Sequence, residues 1–422
     1  MRIVIIGGGI AGLFSGILMR NRYPDADIVI LEKSLRVGGR VFTKKYPDGS
    51  SFEAGAGRFE MKHNTLMALF KRYGLDKDII PIGNTIVEKS GPLLSTNTND
   101  IDFRKMTPED ILIMVKNDTR VTSKMLWENT IETLVEKLYG KDAMRKIVHG
   151  FEYDSEIQTA RAQTALRAIT DTFRGEFGVM GGGLSKLIRC MENEITKKGG
   201  TILLGTKCTG VEKLDNGTFN IQWINDTGET IENADKVIFC TPRKITCDII
   251  HTLIGKDKTD KLYGEEVIKD EPLLRVYARF PKPWIDHKVV TRKGVRYIIP
   301  VSSEPPIVMI SYTDGPIARV WSQFRDEVGD RECANEIINQ LRTLFPRKTI
   351  PDPIWVSFEE WKVGASFWKP SNHDITNEKA RKLRENPMAN VYVCGEFLSI
   401  YHQAWMEGAL KTCIRVAKRI KG

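Results

Sequence analysis

Three glycines, Gly7, Gly9 and Gly12, follow a short run of β-branched residues and open a segment with helical apolar spacing. In that order the first permits a tight turn, the second lets the backbone approach a pyrophosphate, and the third lets helix and strand pack closely. The start of such a helix turns unpaired N–H groups, those of Ile10 and Ala11 among them, toward phosphate charge. Glu32, followed by Lys33, stands twenty residues beyond Gly12 at the end of the next apolar run. A carboxylate there accepts hydrogen bonds from ribose hydroxyls. A glycine-rich turn without a ligand explains the glycines but not the acid, so the set predicts a bound dinucleotide. The run Arg36-Val37-Gly38-Gly39-Arg40 extends the same chemistry. Its glycines allow close backbone approach, and the Arg40 guanidinium forks onto phosphate oxygens.

These residues need a scaffold, and the patterning supplies one. Residues 2–6 and 27–31 read as buried parallel strands flanking a helix over 13–19, a β-α-β unit of about thirty residues. From 65 to 172 the chain reads as mostly helical, with a helix start at Thr107-Pro108 and helical spacing over 126–138 and 160–173. Glycines return from Gly175 to Gly183, ahead of a helix over 184–197. Strands are predicted at 201–204, 209–214, 217–223, 230–231 and 236–240, with Asn216-Gly217 and Thr227-Gly228 as turns. Runs at 273–280, 297–300, 307–312 and 318–321 suggest a second sheet. A helix over 332–344, a buried strand at 390–394 and a helix over 408–419 complete the chain. The expected fold is α/β: a discontinuous Rossmann-like dinucleotide domain (1–64, 175–250 and 386–422) plus an α+β substrate domain (65–174 and 251–385). The latter holds a mixed or antiparallel sheet and a helical insert.

The bulk composition excludes several classes. The chain has 63 Lys+Arg against 54 Asp+Glu, for a net charge of +9, without a basic stripe or a nucleic-acid-reading motif. Nucleic acid is therefore not an expected partner, and the excess reads as a solvated surface. Seven cysteines at irregular spacing, with no CxxC pair, predict free thiols rather than a disulfide framework or a metal site. No apolar run has the length of a membrane span. The first strand begins at Arg2 with no charged and apolar leader before it, so the cytosol is the expected compartment.

Several segments resemble the flavin amine oxidases, a family that includes monoamine and polyamine oxidases. The glycine-pair run ending in Arg40 is similar to that family's "GG" motif. Phe52-Glu53-Ala54-Gly55-Ala56-Gly57-Arg58-Phe59 resembles the segment that passes under the flavin, with Glu53 where the family usually has Asp. Met180-Gly181-Gly182-Gly183-Leu184 resembles its glycine turn, and Ala234 to Pro242 the strand that re-enters the cofactor domain. Cys394-Gly395-Glu396-Phe397 and Trp405-Met406-Glu407-Gly408-Ala409-Leu410 are the most diagnostic matches. The resemblance touches residues 2 to about 415 and is weakest between 65 and 175.

What it implies is an FAD-dependent oxidoreductase. Gly57, Arg58 and Phe59 would lie by the flavin, the backbone of Val211 by the adenine, and Gly395 and Glu396 by the phosphates and ribitol. The helix opened by Trp405 and Met406 would direct N–H groups at the flavin. Trp405 would form one wall of an aromatic cage, with Phe367 or Trp368 as the other. Ser366 stands where some relatives carry a tethering cysteine, which implies non-covalent FAD. Arg275 stands where relatives often place a lysine near flavin N5, and either a catalytic or a structural role is open to it. The implied reaction passes a hydride from an amine α-carbon to flavin N5, with O2 reoxidising the flavin to give H2O2. An amine or polyamine is the expected substrate; an L-amino acid is an alternative that needs an arginine for its carboxylate, for which Arg275 or Arg58 is available. Asp154, Glu156 and Glu176 are candidates for a polyamine's distal charge. A desaturase, a porphyrinogen-type oxidase and an FAD-holding protein without turnover are the alternatives.

Overall fold

The computed structural model describes residues 1–82, 86–89, 103, 106–151, 153–172, 176–291, 294–372 and 374–421. Its centre is a five-stranded parallel sheet with the order Val391–Val393, Lys236–Phe239, Arg2–Ile6, Asp27–Leu31, Thr201–Leu203. Apolar side chains leave both faces of it, as expected of parallel strands covered on both sides. Ile3, Ile5, Ile28, Ile30 and Ile238 enter one core with the helices Ile10–Arg22, Ser185–Lys197 and Met406–Ala417. Val4, Ile6, Val29, Leu31, Val237 and Phe239 enter a second core beneath the antiparallel strands Lys207–Lys213, Phe219–Asn225 and Gly228–Ala234. The five strands come from three stretches of the chain, residues 2–31, 201–239 and 391–393, with the helical layer and the second sheet formed by the residues between them.

The second large sheet has six strands, ordered Trp355–Trp368, Ile268–Arg279, Pro306–Asp314, Tyr297–Ser303, Lys288–Thr291, Ile86–Lys89. All its pairings are antiparallel except the last. Alternation along Ile268–Arg279 sends Leu274, Val276 and Ala278 into a core with the helices Gly315–Val328 and Asp330–Leu344. Arg275 and Tyr277 consequently face the other way, toward the parallel sheet. A helical layer, Pro108–Asn117, Ser123–Glu128, Ile131–Gly150, Asp154–Gln158 and Ala162–Thr172, has its own core. The helix start at Thr107 is a reciprocal capping box with Asp110, with Pro108 in the first turn.

Several expectations are corrected. Residues 318–321, expected as strand, lie in the helix Gly315–Val328. Ile317, Ala318, Trp321 and Phe324 fall on one helical face against the third core, and Pro316 opens the helix. The single helix expected over 126–138 is two, because Thr130 caps a new helix in a box with Thr133. The segment 65–172 also contains the strands Ile79–Ile82 and Ile86–Lys89, and Phe177–Met180 is a strand where only a glycine turn was expected. Ile79–Ile82 is an edge strand and so tolerates Pro81. The long strand Trp355–Trp368 and the helices Arg243–Ile254, Lys256–Tyr263 and Glu378–Glu385 were not foreseen. The predicted helix end at Phe173 and the first glycine, Gly175, lie outside the described residues. All seven cysteines are free.

One buried ion pair ties the helical layer to the second sheet. Arg296 donates to both carboxylate oxygens of Asp154, at 3.1 and 2.8 Å, and to the carbonyls of Thr291, His149 and Phe151. Asp314 receives the N–H groups of Asp154 and Ser155 at 2.9 and 3.1 Å. Removing one partner strands the other charge in the interior. Arg296→Met should therefore lower unfolding free energy by about 3–5 kcal/mol in urea titration; a loss below about 1 kcal/mol would show that the pair does not join the layers.

Candidate active site

The phosphate end is built from backbone. Gly7 adopts φ +104°, which reverses the chain after the first strand. A side chain at Gly12 would collide with the Gly7 carbonyl oxygen, so only glycine lets the helix pack this close. An added Cβ at Gly9, by contrast, meets nothing within 4 Å. The helix begins at Ile10 with no side-chain cap and no acid in its first turn. A helix start with no side-chain acceptor of its own and no nearby acid is the chemistry a pyrophosphate requires. Glu32, 7% exposed, receives the Gly8 and Ser34 N–H groups, both at 2.8 Å, and so is aimed by the loop itself. Lys33 is exposed beside it. These residues fit a dinucleotide cofactor.

Glu396 closes this end. Arg40 Nη1 donates to Glu396 Oε1 and to the Gly364 carbonyl, both at 2.9 Å. Glu396 Oε2 receives the Ala404 N–H at 3.0 Å, and the Gly395 N–H donates to the Thr412 hydroxyl at 2.9 Å. Gly39 reaches Gly9 through the backbone bridge between Gly9 and Gly38. The structure therefore gathers Gly7, Gly9, Ile10, Ala11, Gly12, Glu32, Gly39, Arg40, Gly395 and Glu396 at the carboxyl ends of the parallel strands. Val211 sits in the antiparallel sheet, where its carbonyl receives the Thr252 hydroxyl at 3.1 Å.

The segment after Phe52 is held by its carbonyls. Arg275 donates to the carbonyl of Glu53 at 3.2 Å and to that of Gly55, and to the Tyr312 hydroxyl at 3.3 Å. Tyr277 donates to the Glu53 carbonyl and Trp361 Nε1 to the Ala54 carbonyl, both at 2.7 Å. Burial works against the Arg275 charge, yet Tyr312 and Tyr277 outweigh it and hold its pKa above the ordinary value. The Glu53 carboxylate points elsewhere, accepting the Leu184 N–H at the start of the helix Ser185–Lys197. Phe59 is core: its fully buried ring packs on Phe70, so a side-chain contact to a cofactor is not available to it.

Beyond this segment lies a group of rings. The Arg58 guanidinium sits over Phe177 at 4.7 Å and donates to the Tyr153 hydroxyl at 2.8 Å. Phe177 stacks on Trp405 at 6.2 Å, and Tyr153 meets Tyr312 edge-on at 5.6 Å. Trp405 and Met406 open the terminal helix, again without a side-chain cap. The expected opposite wall is different, however. Trp368 is 1% exposed in the second core, with its indole N–H on the Ser399 carbonyl, and Phe367 packs into the core of the helical layer. Among the described residues the ring partners of Trp405 are His63 and Phe177. Asp154 is committed to Arg296 and is not available to a polyamine. Glu156 borders a small cavity with Phe367 and Tyr401, and Glu176 is exposed. His63, Tyr153, Phe177, Tyr312 and His402 were not foreseen; His63, five residues after Arg58, carried the one local signal.

Fold and site define a flavoprotein oxidoreductase. The family model of flavin containing amine oxidoreductases matches residues 10–421, and the chain belongs to that family. Its curated relatives include the 15-cis-phytoene desaturase of Capsicum annuum, 22% identical over 97% of this chain and 76% of the relative. The flavin-dependent L-tryptophan oxidase of Lentzea aerocolonigenes is 20% identical over 100% of this chain and 98% of its own. An L-amino-acid oxidase of Siganus canaliculatus is 23% identical over 99% and 85%. Identity is nearly equal across these reactions, so the choice among them falls to the site. Among the described residues no helix is long and apolar enough to cross a membrane.

His63 yields a pH prediction. Burial pushes its pKa down from 6.5 to about 4; Glu407 pulls the other way, while His402 and Lys411 add to the fall. Between those values the unfolded chain binds a proton that the native ring refuses, so native stability drops as pH falls from 6.5 toward 4. His63→Phe should flatten the urea midpoint of the cofactor-free protein across that window; an unchanged slope would assign the acid sensitivity to other groups.

Proposed function

We propose that the protein is an FAD-dependent oxidase of α-amino acids, oxidising the carbon that bears the amino group. The observation that carries this reading is Arg58, a guanidinium held against Phe177 and by the Tyr153 hydroxyl, one ring away from Trp405. A planar fork in that position recognises a carboxylate. Arg275 adds a second positive charge to the same wall. A cationic polyamine would meet both charges as repulsion, whereas an α-carboxylate is drawn to them.

When bound, FAD supplies the hydride acceptor and passes the electrons on to O2, forming H2O2. The chain's own residues bind and orient. The uncapped helix at Ile10 would hold the pyrophosphate, Glu32 the ribose, and Arg40 with Glu396 the adjoining phosphate and ribitol. Ser366 stands at the tethering position and donates to Asp270 at 2.7 Å, so the cofactor is held non-covalently. Trp405 and Phe177 exclude water over the reacting carbon, and Arg58 fixes the carboxylate so that this carbon faces the ring system. Arg275 acts as a positioning residue through the carbonyls of Glu53 and Gly55. Desaturation, the reaction named for one relative, gives the Arg58 charge no role, whereas the propionate carboxylates of a porphyrinogen would also meet it.

Anaerobic mixing of the FAD-loaded protein with polyamines, arylalkyl amines and L-amino acids tests the reading. Bleaching by L-amino acids is the expected result. Bleaching by amines alone would remove the carboxylate from the proposal, and no bleaching by any of them would leave the desaturase and non-catalytic readings in front. Arg58→Met should lower kcat/KM for the amino acid by roughly 10- to 100-fold, as a lost charged hydrogen bond does. Its FAD content should stay at the wild-type level.

A further inference from the structure

A cavity of about 280 Å3, counted with the solvent space at its mouth, opens between the helix Ala162–Thr172 and the loop that precedes Trp405. Thr164, Ala165 and Ala168 fall on one face of that helix, as residues one and four positions apart do, and line one wall. Phe367, Ile400 and Tyr401 line the other. Two alanines and a threonine on the helix leave a gap that longer side chains would close. The walls are reachable from outside: Tyr401 is 43% exposed and Ala168 half-buried. The Arg167 guanidinium lies over the Tyr401 ring at 3.8 Å and steadies it.

The lining is apolar in what it offers a guest. The Thr164 hydroxyl donates to the Arg161 carbonyl at 3.1 Å. The Gln403 amide, also in the lining, accepts the Trp368 N–H at 2.9 Å and donates to the Phe397 carbonyl at 3.0 Å. Both polar groups are thus engaged by backbone, which leaves methyl, methylene and ring surface for a ligand. Glu156, at the same cavity, disfavours an anionic guest.

Two stretches of chain join this cavity to the Arg58 and Trp405 group. Tyr153, whose hydroxyl receives the Arg58 guanidinium, precedes the short helix Asp154–Gln158, and Glu156 of that helix reaches the cavity. Three helical residues advance about 4.5 Å. On the other side Gln403 lines the cavity and Trp405 follows two residues later, at most about 7 Å along the chain. Ala404 between them is exposed, and Trp405 and Arg58 keep accessible surface as well. A branched aliphatic side chain spans a gap of that order.

We propose that this cavity is the side-chain subsite of the oxidase, taking an uncharged aliphatic side chain of the amino acid while Arg58 holds its carboxylate, and that Ala168 and Tyr401 set the size it accepts. This rests on the amino-acid oxidase reading and adds the side-chain class to it.

The test measures kcat/KM of the FAD-loaded protein for L-alanine, L-leucine, L-phenylalanine and L-glutamate. Wild type should favour L-leucine over L-alanine by roughly tenfold or more, since each buried methylene is worth a factor of about four. It should also favour L-leucine over L-glutamate. Ala168→Leu fills the cavity, and the ratio of L-leucine to L-alanine should fall roughly tenfold. A ratio cancels differences in FAD content and active fraction. Tyr401→Ala truncates an exposed side chain and widens the mouth, so the ratio of L-phenylalanine to L-leucine should rise roughly three- to tenfold. An unchanged ratio in either folded variant, or a wild-type preference for L-glutamate, overturns the inference. FAD-loaded wild type that no L-amino acid reduces would overturn the function reading and this inference with it. Reduction by L-amino acids without any dependence on Ala168 and Tyr401 removes this inference alone.

Discussion

At and just beyond the end of the short strand Ser51–Glu53, the backbone carbonyls of residues 53–55 are taken by three side chains of the second sheet. A buried carbonyl left unmet would cost a hydrogen bond's desolvation each time. Arg275, Tyr277 and Trp361 remove that cost and, in doing so, fix where the second sheet stands relative to the first. The opposite side of the segment is equally tight. A side chain at Gly55 would strike the Arg40 carbonyl oxygen, and the Ala56 N–H donates to that same oxygen at 2.8 Å. Glycine pair, loop and second sheet are thus layered at backbone distance, and the candidate site inherits its shape from that layering.

This arrangement gives a physical reason for arginine at position 275. A lysine ammonium is a compact point charge on a flexible stem; it does not span two carbonyls and a phenol in one plane. The guanidinium does, with fixed fork geometry. Strand alternation supplies its direction, since Leu274 and Val276 on either side enter the core. The residue is committed to peptide oxygens rather than left to a water or a reacting atom, which is why the proposed chemistry assigns the substrate's carboxylate to Arg58.

Legibility followed locality. Gly7 to Glu32 lie in one β-α-β unit, and every property used to read them is short-range: a turn, an uncapped helix start, an acid at the next strand end. The terminal Gly395, Glu396, Trp405 and Met406 came instead from the resemblance to the flavin amine oxidases, and they lie beside a strand end and a helix start. The aromatic wall was not. Phe367 and Trp368 are neighbours on one strand and so point to opposite faces, one into the helical layer and one into the second core. No local pattern says that neither meets Trp405. Phe177, Tyr153 and Tyr312 come from three separate stretches of the chain, and only the tertiary packing brings the first two to Arg58 and the third to Tyr153. Residues 318–321 failed differently: a four-residue apolar run fits strand and helix alike, and Phe324, a full turn further on, decided the period.

The charges around Trp405 show how such a site keeps its selectivity. The acids nearby are already engaged. Glu53 caps the helix Ser185–Lys197, and Glu407 accepts two amides with Lys411 at 3.3 Å. Carboxylates satisfied by helix amides have little capacity left to attract a cation. Arg58 and Arg275 each lean on an aromatic face and donate to a phenol hydroxyl, and Arg275 also donates to two peptide carbonyls. On the proposed reading the Arg58 guanidinium meets the substrate's carboxylate, while Arg275 holds the 53–55 segment in place beside it.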